Sequence, residues 1–172
     1  LDANGRPIED PSSAYRNKPA MVQPSPHGGH NWQPMAFNPQ TKLVYIPAQL
    51  VPQMFTYDKT REVKLGAWNT GLDLGEVSRL TTKALAAGQP LPVAEGFLLA
   101  WDPINQKEVW RAKHATFWNG GMLTTAGNLV FQGTGDGLFR AWKADTGEEL
   151  WKIDAKTGII APPVTYTVDG DQ

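Results

Sequence analysis

Gly96-Phe97-Leu98-Leu99-Ala100-Trp101-Asp102, running on to Gln106-Lys107-Glu108-Val109-Trp110-Arg111, returns later in the chain. It reappears as Gly137-Leu138-Phe139-Arg140-Ala141-Trp142-Lys143, running on to Gly147-Glu148-Glu149-Leu150-Trp151-Lys152. The offset is 41 residues from Gly96/Gly137 through Trp110/Trp151. Gly, Ala, Trp, Glu and Trp coincide, with hydrophobic or basic neighbours around them. A unit of about 40–50 residues that cannot bury its apolar face alone, repeated along a chain, is the signature of stacked four-stranded blades. The reading is therefore all-β: a β-propeller segment built of four-stranded antiparallel blades.

The strands are placed from alternation and turn signals. In the second unit they are Met122–Thr125, Leu129–Gln132, Leu138–Trp142 and Glu149–Ile153. Ala126-Gly127-Asn128 and Asp145-Thr146-Gly147 are the turns. In the first unit, Leu43-Val44-Tyr45 matches Leu129-Val130-Phe131 at an offset of 86 residues. Two offsets of 86 and 41 leave about 45 residues inserted between the second and third strands, roughly 50–94. Within that insert, Ser78 to Ala87 has helical composition. The expected organisation is one blade over 1–113 carrying the insert, a complete blade over 114–157, and the opening strand of a third over 158–172. That third segment runs from Ile159 to a hairpin signal at Asp169-Gly170-Asp171-Gln172, so a partner strand is expected beyond it.

Composition narrows the function classes. Of 172 residues, 41% are hydrophobic and 19% charged, which is enough apolar material for a core. Lys and Arg number 16 against 17 Asp and Glu, without a basic block, so a nucleic-acid partner is not expected. No apolar run approaches the roughly 20 residues of a membrane-spanning helix. The absence of cysteine rules out disulfides, thiolate metal sites and covalent haem attachment within these residues. The 7 Trp need a structural reason, and the repeat supplies it. Trp110 and Trp151 close a degenerate Ala-x-Asp-x-x-x-Gly-x-x-x-Trp pattern on the outer strand, where a large flat ring can stack between neighbouring blades. Trp101 and Trp142 also read as packing residues.

The pattern resembles the tryptophan-docking motif of the pyrroloquinoline quinone (PQQ) dehydrogenases. Gly28-Gly29-His30-Asn31-Trp32-Gln33-Pro34-Met35 is similar to a stretch of that family that brings an Asn-Trp pair to the cofactor. Phe117-Trp118-Asn119-Gly120-Gly121-Met122-Leu123-Thr124-Thr125 is similar to the segment holding a Trp near it. Gly158-Ile159-Ile160-Ala161-Pro162-Pro163-Val164-Thr165-Tyr166 is also typical. The run from His114 to Gly121 looks most like the quinohaemoprotein alcohol dehydrogenases, which carry a cytochrome domain.

The resemblance implies the C-terminal portion of an eight-bladed propeller. The implied enzyme is periplasmic and oxidises a primary alcohol to an aldehyde with PQQ and Ca²⁺, passing electrons to a cytochrome or copper protein. The same resemblance admits haem c in a further domain. The family's Ca²⁺ ligands, its catalytic Asp and its adjacent cysteine pair lie upstream of this segment, so no catalytic or metal residue is assigned here. Asn31, Trp32 and Trp118 are the candidate cofactor-binding residues, expected at the starts of the innermost strands. Residues 1–172 alone are expected to bind PQQ weakly or not at all, needing the rest of the propeller. The competing reading is a non-enzymatic propeller like the outer-membrane assembly lipoproteins, which has no reason to keep the two Trp-containing motifs.

The remaining candidates are weaker. His27 and His30 lack an evident third ligand beyond His114 and read as loop histidines. Gly133-Thr134-Gly135-Asp136-Gly137 precedes no helix, which argues against a phosphate cradle. Asp136 and Asp145 read as turn carboxylates.

Overall fold

The computed structural model describes residues 2–60 and 62–171. Contacts divide them into two units. The smaller comprises Pro52–Val93 with the N-terminal stretch through Ser25. In it β1 (Ala20–Val22) is the first strand, and it pairs with a later one in the same unit. The larger comprises Pro26–Val51 and everything from Ala94 on. Its first strands are β2 (Ala36–Asn38) and β3 (Leu43–Leu50).

The smaller unit resumes with β4 (Gln53–Phe55), antiparallel to β1 with Met21 opposite Met54. Its helix α1 spans Leu74–Ala86. The Asp73 carboxylate caps it by accepting from the Glu76 amide at 2.9 Å, which satisfies one of the orphan donors of the first turn. The helix starts four residues before the stretch that composition suggested, because this cap sets the boundary. The N-terminal stretch corrects the expected blade over 1–113. Its β1 is held by β4, so it belongs with the insert and not with the blade.

In the larger unit the chain continues through β5 (Glu95–Asp102) and β6 (Lys107–His114). The order β2-β3-β5-β6 makes one four-stranded antiparallel sheet. Then β7 (Met122–Thr125), β8 (Leu129–Gly133), β9 (Leu138–Lys143) and β10 (Glu149–Asp154) make a second with the same plan. Since β6 runs through His114, the expected blade boundary at 113/114 cuts off its last residue.

The two sheets correspond residue by residue. Val44 pairs with Trp101 and Val130 with Trp142, while Tyr45 pairs with Ala100 and Phe131 with Ala141. Each third–fourth strand ladder shifts register near the same place, beside Ala100 opposite Trp110 and beside Ala141 opposite Trp151. Lys42 and Asn128 occupy equivalent left-handed turn positions, as do Gln106 and Gly147. Gln106 shows that the last of these turns does not demand glycine for its backbone. At 147 the demand is space: a Cβ there would lie 2.5 Å from the Trp110 ring.

The core lies between the sheets. Leu43, Tyr45, Leu98 and Ala100 of the first meet Met122, Val130, Trp142 and Ala144 of the second. The Ala144 carbonyl accepts two donors from the first sheet, the Tyr45 hydroxyl at 2.9 Å and the Trp110 indole N–H at 3.0 Å. Asn38, fully buried, donates across to Thr124 Oγ1 at 2.9 Å. Trp110 thus packs into the following sheet as its motif predicts. Trp151 sits at the same place one sheet on, edge-on to Phe139 and 48% exposed.

The segment after β10 corrects the expected opening strand of a third blade. Within the described residues it joins no ladder, and only Val168 and Asp171 bridge in a hairpin turn. A strand needs a neighbour to satisfy its amides. This segment instead crosses the residues just before β7 and the end of β8, its Ile159 amide donating to Thr134 O at 3.1 Å. A Cβ on Gly133 would clash with Ile159, and one on Gly121 would come within 2.9 Å of Pro162.

Candidate cofactor-facing site

Two loops precede the edge strands β2 and β7, and both lie at the edge opposite β6 and β10, where Trp110 and Trp151 sit. The candidate residues lie in these loops and not at the strand starts expected for them. Asn31 and Trp32 come four to five residues before β2, and Trp118 four residues before β7. The reason is geometric: Pro34 lacks an amide donor and its carbonyl instead accepts the Met122 amide at 2.9 Å, so the ladder begins only at Ala36.

The first loop is clamped to β3. His30 Nδ1–H donates to Pro47 O at 3.0 Å, the Gln49 amide donates to Gly29 O at 2.9 Å, and Gln49 Nε2 donates to His27 O at 2.8 Å. Gly28 turns the chain with φ +73°, and a Cβ there would strike the His30 carbonyl at 2.7 Å, so only glycine serves. Asn31 Nδ2 donates to the same His27 carbonyl at 2.9 Å, and its Oδ1 accepts the Trp32 amide at 2.8 Å. Trp32 is 58% exposed and, among the described residues, stacks on no other ring.

The second loop is closed by buried Asn119. Its Oδ1 accepts from Thr116 Oγ1 at 2.9 Å and from the Gly135 amide at 3.0 Å, while its Nδ2 donates to Thr116 O at 2.8 Å. The loop crosses β5 at Gly96, where a Cβ would lie 2.3 Å from Thr116 O. It also crosses Gly135, where a Cβ would lie 2.7 Å from Trp118 O. Its far end is braced by Gln132, fully buried, whose Nε2 donates to Gly120 O at 2.8 Å. That bond fixes the orientation of the amide, so Gln132 Oε1 faces His114 and at 2.9 Å accepts the proton of its Nε2. Burial pushes the His114 imidazole down to about 4, with Arg140 adding to the effect against Gln132, Asp136 and Glu149. Among the described residues its Nδ1 has no hydrogen-bond partner.

The loops meet at His27. Its ring stands edge-on to Trp118, centroids 5.7 Å apart at 80°, and to Phe117 at 6.2 Å. Beneath them is a cavity with room for about one water, lined in part by Gln33, Gln49 and Asn119. Asn31 and Trp118 are thus brought together, through a histidine that sequence reasoning treated as idle. Spacing could not reveal it, because His27 acts by its carbonyl and by a ring contact to a residue far along the chain.

Residues 96–172 match the model described as "Glucose/ethanol/alcohol dehydrogenase, beta-propeller domain", PQQ type. Over these residues the chain is similar to the PQQ dehydrogenase propellers. It is 45% identical over 170 residues to quinohemoprotein alcohol dehydrogenase ADH IIB of Pseudomonas putida, covering 99% of this chain and 23% of that protein. It is 44% identical over 180 residues to the 1-butanol dehydrogenase (cytochrome c) of Thauera butanivorans, covering 99% of this chain and 24% of that protein. The crystal structure of quinohemoprotein alcohol dehydrogenase from Comamonas testosteroni superposes with a TM-score of 0.81 at 43% identity, covering 98% of this chain and 25% of that one. The chain therefore spans about a quarter of the length of these relatives.

The donor set of the site can be tested against PQQ, a flat quinone bearing carboxylates. Trp32 offers an exposed indole, and Asn31 keeps one Nδ2 hydrogen beyond the bond to His27. Both suit a planar ring with carbonyl oxygens, whereas a cation to balance carboxylates is not among the three candidates. The residues fit one flank of the group. They do not fit Ca²⁺: among the described residues no three His, Asp or Glu converge.

Proposed function

We propose that the protein carrying these residues is an alcohol-oxidising quinoprotein, converting primary alcohols to aldehydes in the periplasm, and that Asn31, Trp32 and Trp118 line one side of its PQQ site. The observation that carries this reading is the convergence of Asn31 and Trp118 on His27, from loops entering two successive sheets at the same edge. The chemistry PQQ supplies when bound is acceptance of the two electrons released by the alcohol. Asn31 would donate its remaining amide hydrogen to a cofactor oxygen. Trp118 and Trp32 would wall the chamber and exclude water, which strengthens such a bond. The similarity to a quinohemoprotein alcohol dehydrogenase and to a 1-butanol dehydrogenase (cytochrome c) supports a haem-linked route, with a cytochrome as electron acceptor. Ca²⁺ as a Lewis acid, if used, would be held by residues beyond this chain.

The test is made in the full-length protein. Asn31→Ala and Trp118→Ala should each raise the PQQ dissociation constant of the apoprotein, roughly ten-fold for the hydrogen bond, and lower dye-linked oxidation of ethanol or 1-butanol. A full-length protein that takes up no PQQ would instead support a protein-binding scaffold and refute the proposal.

A further inference from the structure

We propose that His27 is the positioning residue of this site, setting where the Trp118 indole and the Asn31 amide stand; this rests on the cofactor-facing reading above. Four contacts converge on it. Its carbonyl accepts from Asn31 Nδ2 and from Gln49 Nε2, at 2.9 and 2.8 Å. Gln49 is 3% exposed and lies on β3, so the carbonyl is fixed to the sheet and not to a loop free to drift. The ring then meets Trp118 and Phe117 edge-on from the other loop. Edge-to-face geometry has a directional preference, because a positive ring edge meets a negative face. The contact therefore orients the Trp118 plane as well as limiting its approach.

The rest of the architecture makes such a coupling effective. Each loop is stiff by itself, the first through its bonds to Pro47 and Gln49, the second through Asn119. Two stiff loops joined at one ring pair keep a fixed separation. Without the ring, their relative placement would rest on the hydrogen bond from the Met122 amide to Pro34 O and on the packing of the second loop over Gly96, the partner of Gln49 in the sheet. His27 need not touch the cofactor to do this, so its loss should weaken binding without abolishing it.

The experiment uses the full-length apoprotein with His27→Ala, His27→Phe, Trp118→Ala and the double variant His27→Ala/Trp118→Ala. Equilibrium titration with PQQ gives the dissociation constants, and thermal melting shows whether each variant is folded. His27→Ala should raise Kd roughly three- to ten-fold, the size of one lost edge-to-face pair, and His27→Phe should stay within about two-fold of wild type. The double variant should bind no worse than Trp118→Ala. Equal impairment of the Phe and Ala variants, or effects that multiply in the double variant, would overturn the proposal. If Trp118→Ala leaves Kd unchanged, the cofactor role of Trp118 fails and the positioning role fails with it. The near-UV circular dichroism change caused by His27→Ala separates the two failures, since it should vanish in the Trp118→Ala background if the rings are coupled at all.

Discussion

Replacing Gly96 by alanine should displace the Trp118 loop while leaving the sheet intact. The added Cβ would lie 2.3 Å from Thr116 O, 2.6 Å from Phe117 Cα and 2.9 Å from Asn119 Nδ2. Carbon and a carbonyl oxygen do not approach closer than about 3.3 Å, so something must move by about 1 Å. Strand β5 cannot yield easily, because Gly96 is paired with Gln49 on one side and His114 on the other. The loop over it must lift, and the bonds that Asn119 makes to Thr116 and Gly135 stretch with it. Overpacking of this kind costs about 1–3 kcal/mol. A shift of about 1 Å in a group facing the reaction can cost on the order of 10²-fold in rate. In the full-length protein, Gly96→Ala should therefore lower the melting temperature modestly and reduce PQQ affinity and kcat/KM more severely. Gly127→Ala is the control, since its Cβ would meet nothing closer than Thr125 Oγ1 at 3.6 Å. A Gly96→Ala protein with wild-type melting temperature and wild-type PQQ affinity would refute this reasoning.

The contacts between the sheets set two further outcomes. Trp110→Ala removes the indole bond to Ala144 and the ring filling the space over Gly147, which should cost about 2–4 kcal/mol in denaturant unfolding, the lower part of the aromatic range because the ring is half-buried. Trp110→Phe should lose about 1 kcal/mol, chiefly the hydrogen bond. His114 should make stability pH-dependent. Its folded value of about 4 lies below the ordinary 6.5, so the unfolded chain binds the extra proton first. Its contribution is complete above about pH 6.5 and falls as pH drops towards 4, by on the order of 3 kcal/mol. His114→Gln, compared with wild type over this range in urea unfolding, should flatten that slope; an unchanged slope would assign it to other groups.

The repeat was legible in the amino-acid order alone, and with it most of the larger unit. Equivalent residues 41 or 86 positions apart must occupy equivalent places in sheets of one plan. Strand order, turn positions and the packing of Trp110 between the sheets could therefore be read in advance. The long gap between Leu43–Leu50 and Glu95–Asp102, partners in one ladder, likewise announced the insert. Three features emerged only when the chain was folded. The N-terminal stretch joined the insert, because β1 finds its partner in β4, a pairing that no repeat encodes. The Ile159 segment stayed outside any ladder, because a strand is defined by its neighbour and not by its own residues. His27 became the junction of the candidate site. Asn31 and Trp118 were visible through the motifs around them, but His27 contributes a backbone carbonyl, which every residue has, and a ring contact to a distant loop. Such a role depends on how two loops pack over Gly96 and Gly135, and glycines reveal what they admit only once the chain that crosses them is in place.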